Sequence, residues 1–262
     1  MFEAERAACI QAAQAGGQVL LRHFRQLDPA TVSEKTKNDL VSAADRESEA
    51  VIKATLAERF PQYQFLGEET GASGGAGERR WIVDPLDGTL NFVQGFPHWC
   101  VSVALWDAGG ALAGCILDPL RQDLFAAARG QGATWNGRPM TVSRKPGLDG
   151  AFITTGFAWQ LGERFAPYNE ALCKVFPRAM AIRRTGSAAL DLAHTACGIF
   201  DGYFELGLKP WDIAAGTLLV QEAGGVVSDW GGGPGWMASG SLVAGSPAVQ
   251  RELAETIAPY AG

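Results

Sequence analysis

The sequence predicts an α+β fold in which sheets are sandwiched by helices. Three observations support this prediction: helical spacing of apolar residues at the start of the chain, short apolar runs in its middle, and alternating strand-like and helix-like segments in its second half. The chain has 262 residues, 47% of them hydrophobic, and can therefore bury a sizeable core. Because no linker rich in proline or serine divides it, we treat residues 1–262 as one unit with parts at about 1–146 and 147–262.

Two helices begin the chain, and short strands follow them. Helix-compatible spacing runs from residue 3 to about residue 27 and from Ala44 to Phe60, before Pro61 stops the second helix. The strand-like runs are expected to form a meandering sheet, and they cover residues 64–66, 81–83, 101–105, 112–117 and 124–128.

Glycine residues mark the turns and one longer loop in this part of the chain. Gly109-Gly110 and Asn136-Gly137 supply the positive φ angles that tight hairpin turns need. The glycine-rich segment 71–77 has no packing residues of its own, so we expect a mobile loop there.

The second half of the chain alternates between strand-like and helix-like segments. Strands are predicted at 151–155, 179–184, 200–206, 226–228 and 242–245, and helices at 160–175, 187–197, 212–223 and 247–258. This alternation predicts that helices cover the sheets.

The charge balance excludes several classes of partner. With 28 acidic and 22 basic residues the formal net charge is −6, so the chain as a whole does not attract nucleic acid or an anionic bilayer. No apolar run approaches the ~18 residues of a membrane helix, and the N-terminus lacks a basic segment followed by an apolar stretch. We therefore expect a cytoplasmic protein with no membrane partner.

Cysteine and histidine are not expected to carry the chemistry. The cysteines form no C-x-x-C pair, so we expect buried, reduced thiols at Cys9, Cys100, Cys115, Cys173 and Cys197. The three histidines have no H-x-x-x-H spacing for zinc, and no R-H-G motif indicates a phosphohistidine mechanism.

The most informative stretch is an apolar strand at 81–83 that ends in acidic residues. Asp84 and Asp87 lie three residues apart across a turn fixed by Pro85. Both carboxylates and the Leu86 carbonyl can therefore point into one pocket as the hard oxygen ligands that Mg²⁺ prefers. The alternative is an ordinary turn, because aspartate and proline are common turn residues.

The residues after these aspartates suit a phosphate. Gly88 and Thr89 offer backbone N–H groups at the start of the next element, a geometry that binds phosphate groups. The D-x-x-D spacing differs from the D-x-D pattern of phosphatases with an aspartate nucleophile. It therefore indicates a water activated by metal rather than a phospho-aspartate intermediate.

Four further acids are candidates for the same site. Glu68 and Glu69 follow another strand-like run, although paired surface glutamates are usually only solvated charges. Asp212 stands at a helix start, where it is either a cap or a site residue. Asp45, three residues after Ser42, is likewise either the acidic member of a capping box or part of the site.

Together these motifs resemble the inositol monophosphatases, which belong to the lithium-sensitive, Mg²⁺-dependent sugar phosphatase superfamily. Three blocks carry the resemblance, in the order and spacing of that family: G-E-E at 67–69, D-P-L-D-G-T at 84–89 and W-D-I-A-A-G at 211–216. Similarity extends from N-D-L-V at 38–41, with Asp45, through R-T-G-S-A-A at 184–189 to E-A-G-G at 222–225. The resemblance therefore covers nearly the whole chain.

The resemblance implies a layered α-β-α-β-α sugar-phosphatase fold, usually a homodimer, with Mg²⁺ between its two halves and inhibition by Li⁺. The ligands it implies for a first metal ion are Glu68, Asp84 and the Leu86 carbonyl. Those it implies for a second ion are Asp84, Asp87 and Asp212.

The resemblance also implies roles around the substrate. The attacking water would be oriented by Glu68, Asp45 and Thr89. The residues implied to contact the phosphate or the inositol ring are Asp87, Gly88, Thr89, Gly186, Ser187, Ala188, Glu205 and Asp212. A lysine near the phosphate matches Lys35 or Lys37, because the spacing fits both.

The activity implied by the resemblance is hydrolysis of inositol 1-phosphate to inositol and phosphate. A carboxylate acceptor such as Glu205 suits a polyol with adjacent hydroxyls. The alternatives within the superfamily are histidinol phosphate, fructose 1,6-bisphosphate and 3′-phosphoadenosine 5′-phosphate.

A function of another class is also implied. A bacterial member that the chain resembles binds the transcription elongation machinery during ribosomal RNA synthesis, which would make that machinery a partner of this chain. The basic side chains to test for this role are Arg121, Arg144, Lys145, Arg183 and Arg184. Solvated charges or salt-bridge partners are the alternative interpretation of all five.

Overall fold

The computed structural model describes residues 2–26, 33–36, 39–157 and 159–261. These residues fold into five layers in the order helix, sheet, helix, sheet, helix. The layered fold predicted from the sequence is therefore confirmed.

The larger sheet has eight strands, which follow a short hairpin of β1 (Ser33–Thr36) and β2 (Asp39–Val41). Its strands are β3 (Gln64–Gly67), β4 (Gly71–Gly74), β5 (Arg80–Asp87), β6 (Cys100–Asp107), β7 (Gly110–Asp118), β8 (Asp123–Ala128), β9 (Ala133–Trp135) and β10 (Arg138–Met140). Their order in space is β10-β9-β8-β7-β6-β5-β3-β4, in which β3 and β5 are parallel and the other neighbours antiparallel. The expected meander is confirmed from β5 to β10.

The smaller sheet has five strands from the second half of the chain. They are β11 (Phe152–Phe157), β12 (Ala181–Arg183), β13 (Gly202–Leu206), β14 (Val226–Ser228) and β15 (Ser241–Gly245). β11 is parallel to its neighbours β12 and β13, whereas β15 is antiparallel to β13 and β14.

Helices cover both sheets and fill the space between them. They are α1 (Glu3–His23), α2 (Ala43–Arg59), α3 (Thr89–Val93), α4 (Phe165–Val175), α5 (Ala188–Ala196), α6 (Pro210–Glu222), α7 (Trp236–Ser239) and α8 (Pro247–Ile257). α1 and α2 pack on the outer face of the larger sheet, α5 and α6 lie between the sheets, and α4 and α8 pack on the outer face of the smaller sheet. None of the helices in the described ranges is long and apolar enough to span a membrane.

Three apolar cores hold the layers of the described residues together. Ile52 of α2 and Val103 of β6 belong to the core between the first helices and the larger sheet. Leu218 of α6 belongs to the central core, and Phe204 and Trp230 belong to the core under α4 and α8. Burial of these side chains is the main driving force for stacking the layers.

Several local expectations are wrong in detail. The segment predicted as a mobile loop at 71–77 begins with strand β4, whose residues pair with β3 from Gly71 to Gly74. Backbone pairing can order glycine even though it has no side chain to pack. The predicted helix 160–175 begins instead as a 3-10 segment, Trp159–Arg164, and becomes α-helical at Phe165.

The turn and cysteine predictions also have mixed outcomes. Asn136 and Gly137 have φ angles of 49° and 76° and close the β9–β10 hairpin, as predicted. All five cysteines are free thiols. The prediction of burial is wrong for Cys173, which is exposed on α4, and for Cys197, which is half-buried.

Two partly buried histidines should make the free energy of unfolding depend on pH. Burial, together with the neighbouring His194 and Arg121, lowers the pKa of His98 to about 4, and burial also lowers the pKa of His194. In the unfolded chain histidine titrates near 6.5, so the unfolded state takes up protons first as the pH falls. We therefore expect the two histidines to lower the free energy of unfolding as the pH falls from 6.5 to 4.

The His98→Phe variant should show a smaller loss of this kind. Between pH 7 and 5 the wild type should lose about 1 to 2 kcal/mol more unfolding free energy than the variant, measured by urea denaturation. His23→Phe is the control, because His23 pairs with Glu47 at the surface. Equal pH dependence in His98→Phe and wild type would contradict the prediction.

Candidate active site

Strand β5 carries two aspartates on one face of the larger sheet because the strand bulges between them. Asp84 pairs with Ser102 and Asp87 with Cys100, so three steps along β5 match two steps along β6. Side chains alternate along a regular strand, and without the bulge the two aspartates would face opposite sides. The turn predicted at this point is therefore a bulge inside a longer strand.

Asp212 reaches the same region from the second half of the chain. It lies in the first turn of α6, where its Oδ2 accepts a hydrogen bond of 2.7 Å from the Lys209 backbone N–H. Ser102, which pairs with Asp84, donates through Oγ to the Trp211 carbonyl at 3.4 Å. The helix start is therefore docked against β6 next to the bulge.

The acids are close enough to change one another's ionisation. Burial raises the pKa of Asp84 well above its usual range, and the charges of Glu68, Asp87 and Asp212 raise it further. Burial, Asp87 and Glu68 raise the pKa of Asp212 in the same way. The fold therefore brings acidic groups from three separate segments of the chain to one place.

Asp45 and Thr89 connect helix α2 to this cluster. The Thr89 hydroxyl lies 3.0 Å from the Leu86 carbonyl and 3.3 Å from Asp45 Oδ1, either of which can accept its proton. The other oxygen of Asp45 accepts hydrogen bonds from the Ser42 backbone N–H at 2.8 Å and the Ser42 hydroxyl at 2.6 Å. The predicted capping box is thus present, and the same carboxylate also contacts Thr89.

Asp87 is held by the start of α5. Its Oδ2 accepts hydrogen bonds from Ser187 Oγ at 2.5 Å and from the Ala189 backbone N–H at 2.8 Å. Burial raises the pKa of Asp87, and these two hydrogen bonds oppose that rise. Ser187 was predicted only to line the substrate ring, and its contact with Asp87 is an additional finding.

A cavity of about 170 Å³ adjoins these acids. Its lining includes the two acids and the four ring-side residues predicted from the sequence, namely Asp87, Asp212, Gly186, Ser187, Ala188 and Glu205. Burial raises the pKa of Glu205 to about 7, although the Tyr203 hydroxyl donates to its Oε2 at 2.6 Å. The cavity therefore offers acceptors for hydroxyl groups on its wall.

The two halves approach each other closely at Gly88. This residue has φ of 92°, and a β-carbon there would lie 3.0 Å from the His98 carbonyl and 3.3 Å from the Gly186 carbonyl. Asn91 Nδ2 donates to the His98 carbonyl at 2.7 Å and to the Thr185 carbonyl at 3.0 Å. The start of α3 is thereby joined to the loop that precedes α5.

Residues 3–261 of this chain match the sequence model of the inositol monophosphatase family. The chain belongs to the inositol monophosphatase family. The family resemblance drawn from the three motif blocks is therefore confirmed, and the chain is a phosphatase.

Individual relatives agree with this assignment. The Nus factor SuhB of Salmonella typhimurium is 42% identical over 245 residues, which are 93% of this chain and 92% of that protein. The crystal structure of the extragenic suppressor protein suhB from Bartonella henselae has a TM-score of 0.93 at 39% identity, over 97% of this chain and 98% of that one. The inositol monophosphatase from Anabaena (Nostoc) sp. PCC 7120 has a TM-score of 0.86 at 38% identity, over 98% and 96% of the two chains.

The oxygen ligands of the site suit a hard divalent cation. Over the described ranges, no three His, Cys, Asp or Glu side chains are arranged to hold an ion as they stand. Asp84, Asp87 and Asp212 instead accept hydrogen bonds from neighbouring groups. Carboxylate and carbonyl oxygens are the ligands that hard divalent cations take in proteins, so the donors present fit such an ion.

One buried acid beside the predicted residues is not named by the sequence analysis, and the choice of one predicted lysine stays open. The Glu69 backbone N–H donates to Glu49 Oε2 at 2.8 Å. Glu49 was missed, although an acid within the buried stripe of α2 was a usable signal. The side chains of Lys35 and Lys37 lie outside the described residues, so the choice between them stays open.

Proposed function

We propose that this chain is a Mg²⁺-dependent phosphomonoesterase that hydrolyses inositol 1-phosphate to inositol and phosphate. The observation that carries the proposal is the convergence of Asp84, Asp87 and Asp212 from opposite halves of the chain beside one polar cavity. Such a cluster would repel a phosphate dianion unless cations reversed the local charge.

The proposed metal ligands are those that the family resemblance implies. Glu68, Asp84 and the Leu86 carbonyl would hold one ion, and Asp84, Asp87 and Asp212 a second. When bound, the ions supply a water of lowered pKa and neutralise charge on the phosphate and the leaving oxygen. The hydrogen bonds from Ser187 and Ala189 fix the orientation of Asp87, as outer partners of metal ligands commonly do.

We assign water activation to Glu68, Asp45 and Thr89. When the Thr89 proton is directed to Asp45 Oδ1, a lone pair of the hydroxyl oxygen can accept a hydrogen from the attacking water. The backbone N–H groups of Gly88 and Thr89 lie at the start of α3, where helix N–H groups lack partners within the helix, and we assign them to the phosphate.

The polyol ring would occupy the cavity beyond the phosphate. Gly186, Ser187 and Ala188 form one side of it, and Glu205 can accept hydrogen bonds from adjacent ring hydroxyls. The relevant competitors are histidinol phosphate, fructose 1,6-bisphosphate and 3′-phosphoadenosine 5′-phosphate, which differ in the groups presented to Glu205.

A phosphate-release assay over these four substrates tests the proposal. Inositol 1-phosphate should give the highest kcat/KM, EDTA should abolish release, added Mg²⁺ should restore it, and Li⁺ should inhibit it. A preference of tenfold or more for another substrate would overturn the substrate assignment. Full activity in EDTA would overturn the metal mechanism.

We further propose that residues 1–262 act as one catalytic unit of a cytoplasmic homodimer. The part up to about residue 146 would supply most metal and phosphate contacts, and the part from 147 the ring contacts and Asp212. The family resemblance supports the dimer. Sedimentation of the purified protein should therefore give a mass near twice 27.8 kDa.

A second candidate function is interaction with the transcription elongation machinery, which the Nus factor name of its relatives favours. Arg183 and Arg184 are exposed, whereas Arg121 is paired with Asp118 at 2.6 Å. Pull-down of RNA polymerase and its elongation factors with the purified chain tests this function. The variant Arg183→Ala should reduce specific capture, and capture no greater than background by the wild type would remove the candidate.

A further inference from the structure

The acid Glu49 of α2 is fully buried but has no role in the function proposed above. It lies one helical turn after Asp45, and its relative exposure is 0%. A buried carboxylate is costly unless hydrogen bonds satisfy its oxygens. Glu49 accepts two of them, from the backbone N–H of Glu69 to Oε2 at 2.8 Å and from that of Thr70 to Oε1 at 2.9 Å.

These contacts hold the turn that carries Glu68. The Glu68 backbone N–H donates to the Val83 carbonyl on β5 at 3.2 Å. Three consecutive N–H groups, at residues 68, 69 and 70, are therefore anchored, the first to the sheet and the other two to α2. The backbone that carries the Glu68 side chain is thus fixed from two sides.

Gly67 allows this close approach. A β-carbon at position 67 would overlap the Glu49 carboxylate, so the acid lies directly against the backbone that precedes Glu68. Gly67 is buried in strand β3. Any side chain there would displace either Glu49 or the turn.

The same face of α2 also contacts the β5 bulge. Ser48 Oγ donates to the Pro85 carbonyl at 3.1 Å, and Asp45 accepts from Thr89. The helix α2 therefore contacts both segments that supply the predicted ligands of the first metal ion. Residues that fix ligands in this way determine how well a metal site is preorganised.

We propose that Glu49 is a positioning residue that sets the location of Glu68 relative to Asp84 and the Leu86 carbonyl. The carboxylate form is needed, because both of its oxygens accept from N–H donors. In Glu49→Gln the amide oxygen can keep one of these bonds, while the side-chain NH₂ faces a second donor. The metal-binding part of this inference rests on the proposed function, whereas the anchoring of the turn does not.

The first measurement is hydrogen exchange of the metal-free protein. In Glu49→Gln the segment 67–71 should exchange about tenfold faster, corresponding to the loss of one hydrogen bond, while α2 and β5 keep their protection. Glu47→Gln is the matched control, because Glu47 lies on the same helix but pairs with Arg22 and His23 at the surface. That control should exchange like the wild type.

The second measurement is Mg²⁺ binding by calorimetry without substrate. Glu49→Gln should weaken binding about 10- to 100-fold, and Glu47→Gln should leave it unchanged. Gly67→Ala, which disturbs the same contact from the other side, should reproduce both effects of Glu49→Gln. If Glu49→Gln loses protection throughout the protein, the exchange and Mg²⁺ binding of Gly67→Ala decide whether the contact anchors the turn.

Each failure has a distinct meaning. Unchanged exchange at 67–71 in both Glu49→Gln and Gly67→Ala would overturn the anchoring role. Faster exchange with unchanged Mg²⁺ affinity in both variants would overturn the link to metal binding. A wild type that neither binds Mg²⁺ nor releases phosphate would instead refute the proposed function, while the exchange data would still test the anchor.

Discussion

Replacing Asp84 by asparagine is expected to lower kcat/KM for phosphate release by about a thousandfold and to leave the fold intact. In the proposed site Asp84 is a ligand of both metal ions. Losing a metal's stabilisation of transition-state charge costs several kcal/mol, and about 4 kcal/mol corresponds to a factor of a thousand. Asparagine keeps the oxygen that accepts from the Leu86 backbone N–H at 2.9 Å, so the bulge should be preserved.

The same substitution should make the metal-free protein more stable. Asp84 is buried and is repelled by the charges of Glu68, Asp87 and Asp212. Removing a repelled, buried charge should raise the unfolding free energy in EDTA by about 1 kcal/mol or more, measured in urea. Gain of stability together with loss of activity is the signature of a residue kept for function.

Asp118→Asn provides a control with the opposite signature. Asp118 is as buried as Asp84, but it pairs with Arg121 at 2.6 Å and accepts from the Leu120 and Arg121 backbone N–H groups. Its replacement should lower stability and leave kcat/KM near that of the wild type. An Asp84→Asn variant with near wild-type activity would refute the site assignment.

Mg²⁺ should raise the melting temperature of the wild type, and Asp212→Asn should lose much of this increase. Ligand at about 100 times its Kd stabilises a protein by about 2.7 kcal/mol, or about 5 °C for a chain of this size. Tenfold weaker binding leaves about 1.4 kcal/mol, which halves the shift. Asp212 comes from the second half of the chain, so this result would test whether both halves hold metal.

Differential scanning calorimetry in EDTA and in Mg²⁺ measures this effect. Glu222→Gln is a useful control, because Glu222 ends the same helix and accepts from Gly130 and Gly132 far from the acid cluster. It should change the melting temperature equally with and without Mg²⁺. A full Mg²⁺ shift in Asp212→Asn would show that α6 does not contribute a metal ligand.

Local patterns predicted those features that depend on neighbours in the sequence. The capping box of Asp45 with Ser42 spans three residues, and the Asn136-Gly137 hairpin needs only the φ preferences of its own two residues. Strand β4 was not predicted because it depends on pairing with another strand. Its glycines carry no pattern, and they are ordered by pairing with β3, which local spacing does not reveal.

The sequence by itself determined the helices and strands, the family, and the identity of the acids proposed for the site, because short-range spacing and motif order encode them. Only the tertiary structure decided which acids share one environment. The bulge between Asp84 and Asp87 sets their common face, and the docking of α6 brings Asp212 to them. Likewise the role inferred for Glu49 depends on contacts with a turn that its own helix pattern could not specify. Such contacts join segments distant in the chain, and they form only when burial of the apolar cores stacks the layers.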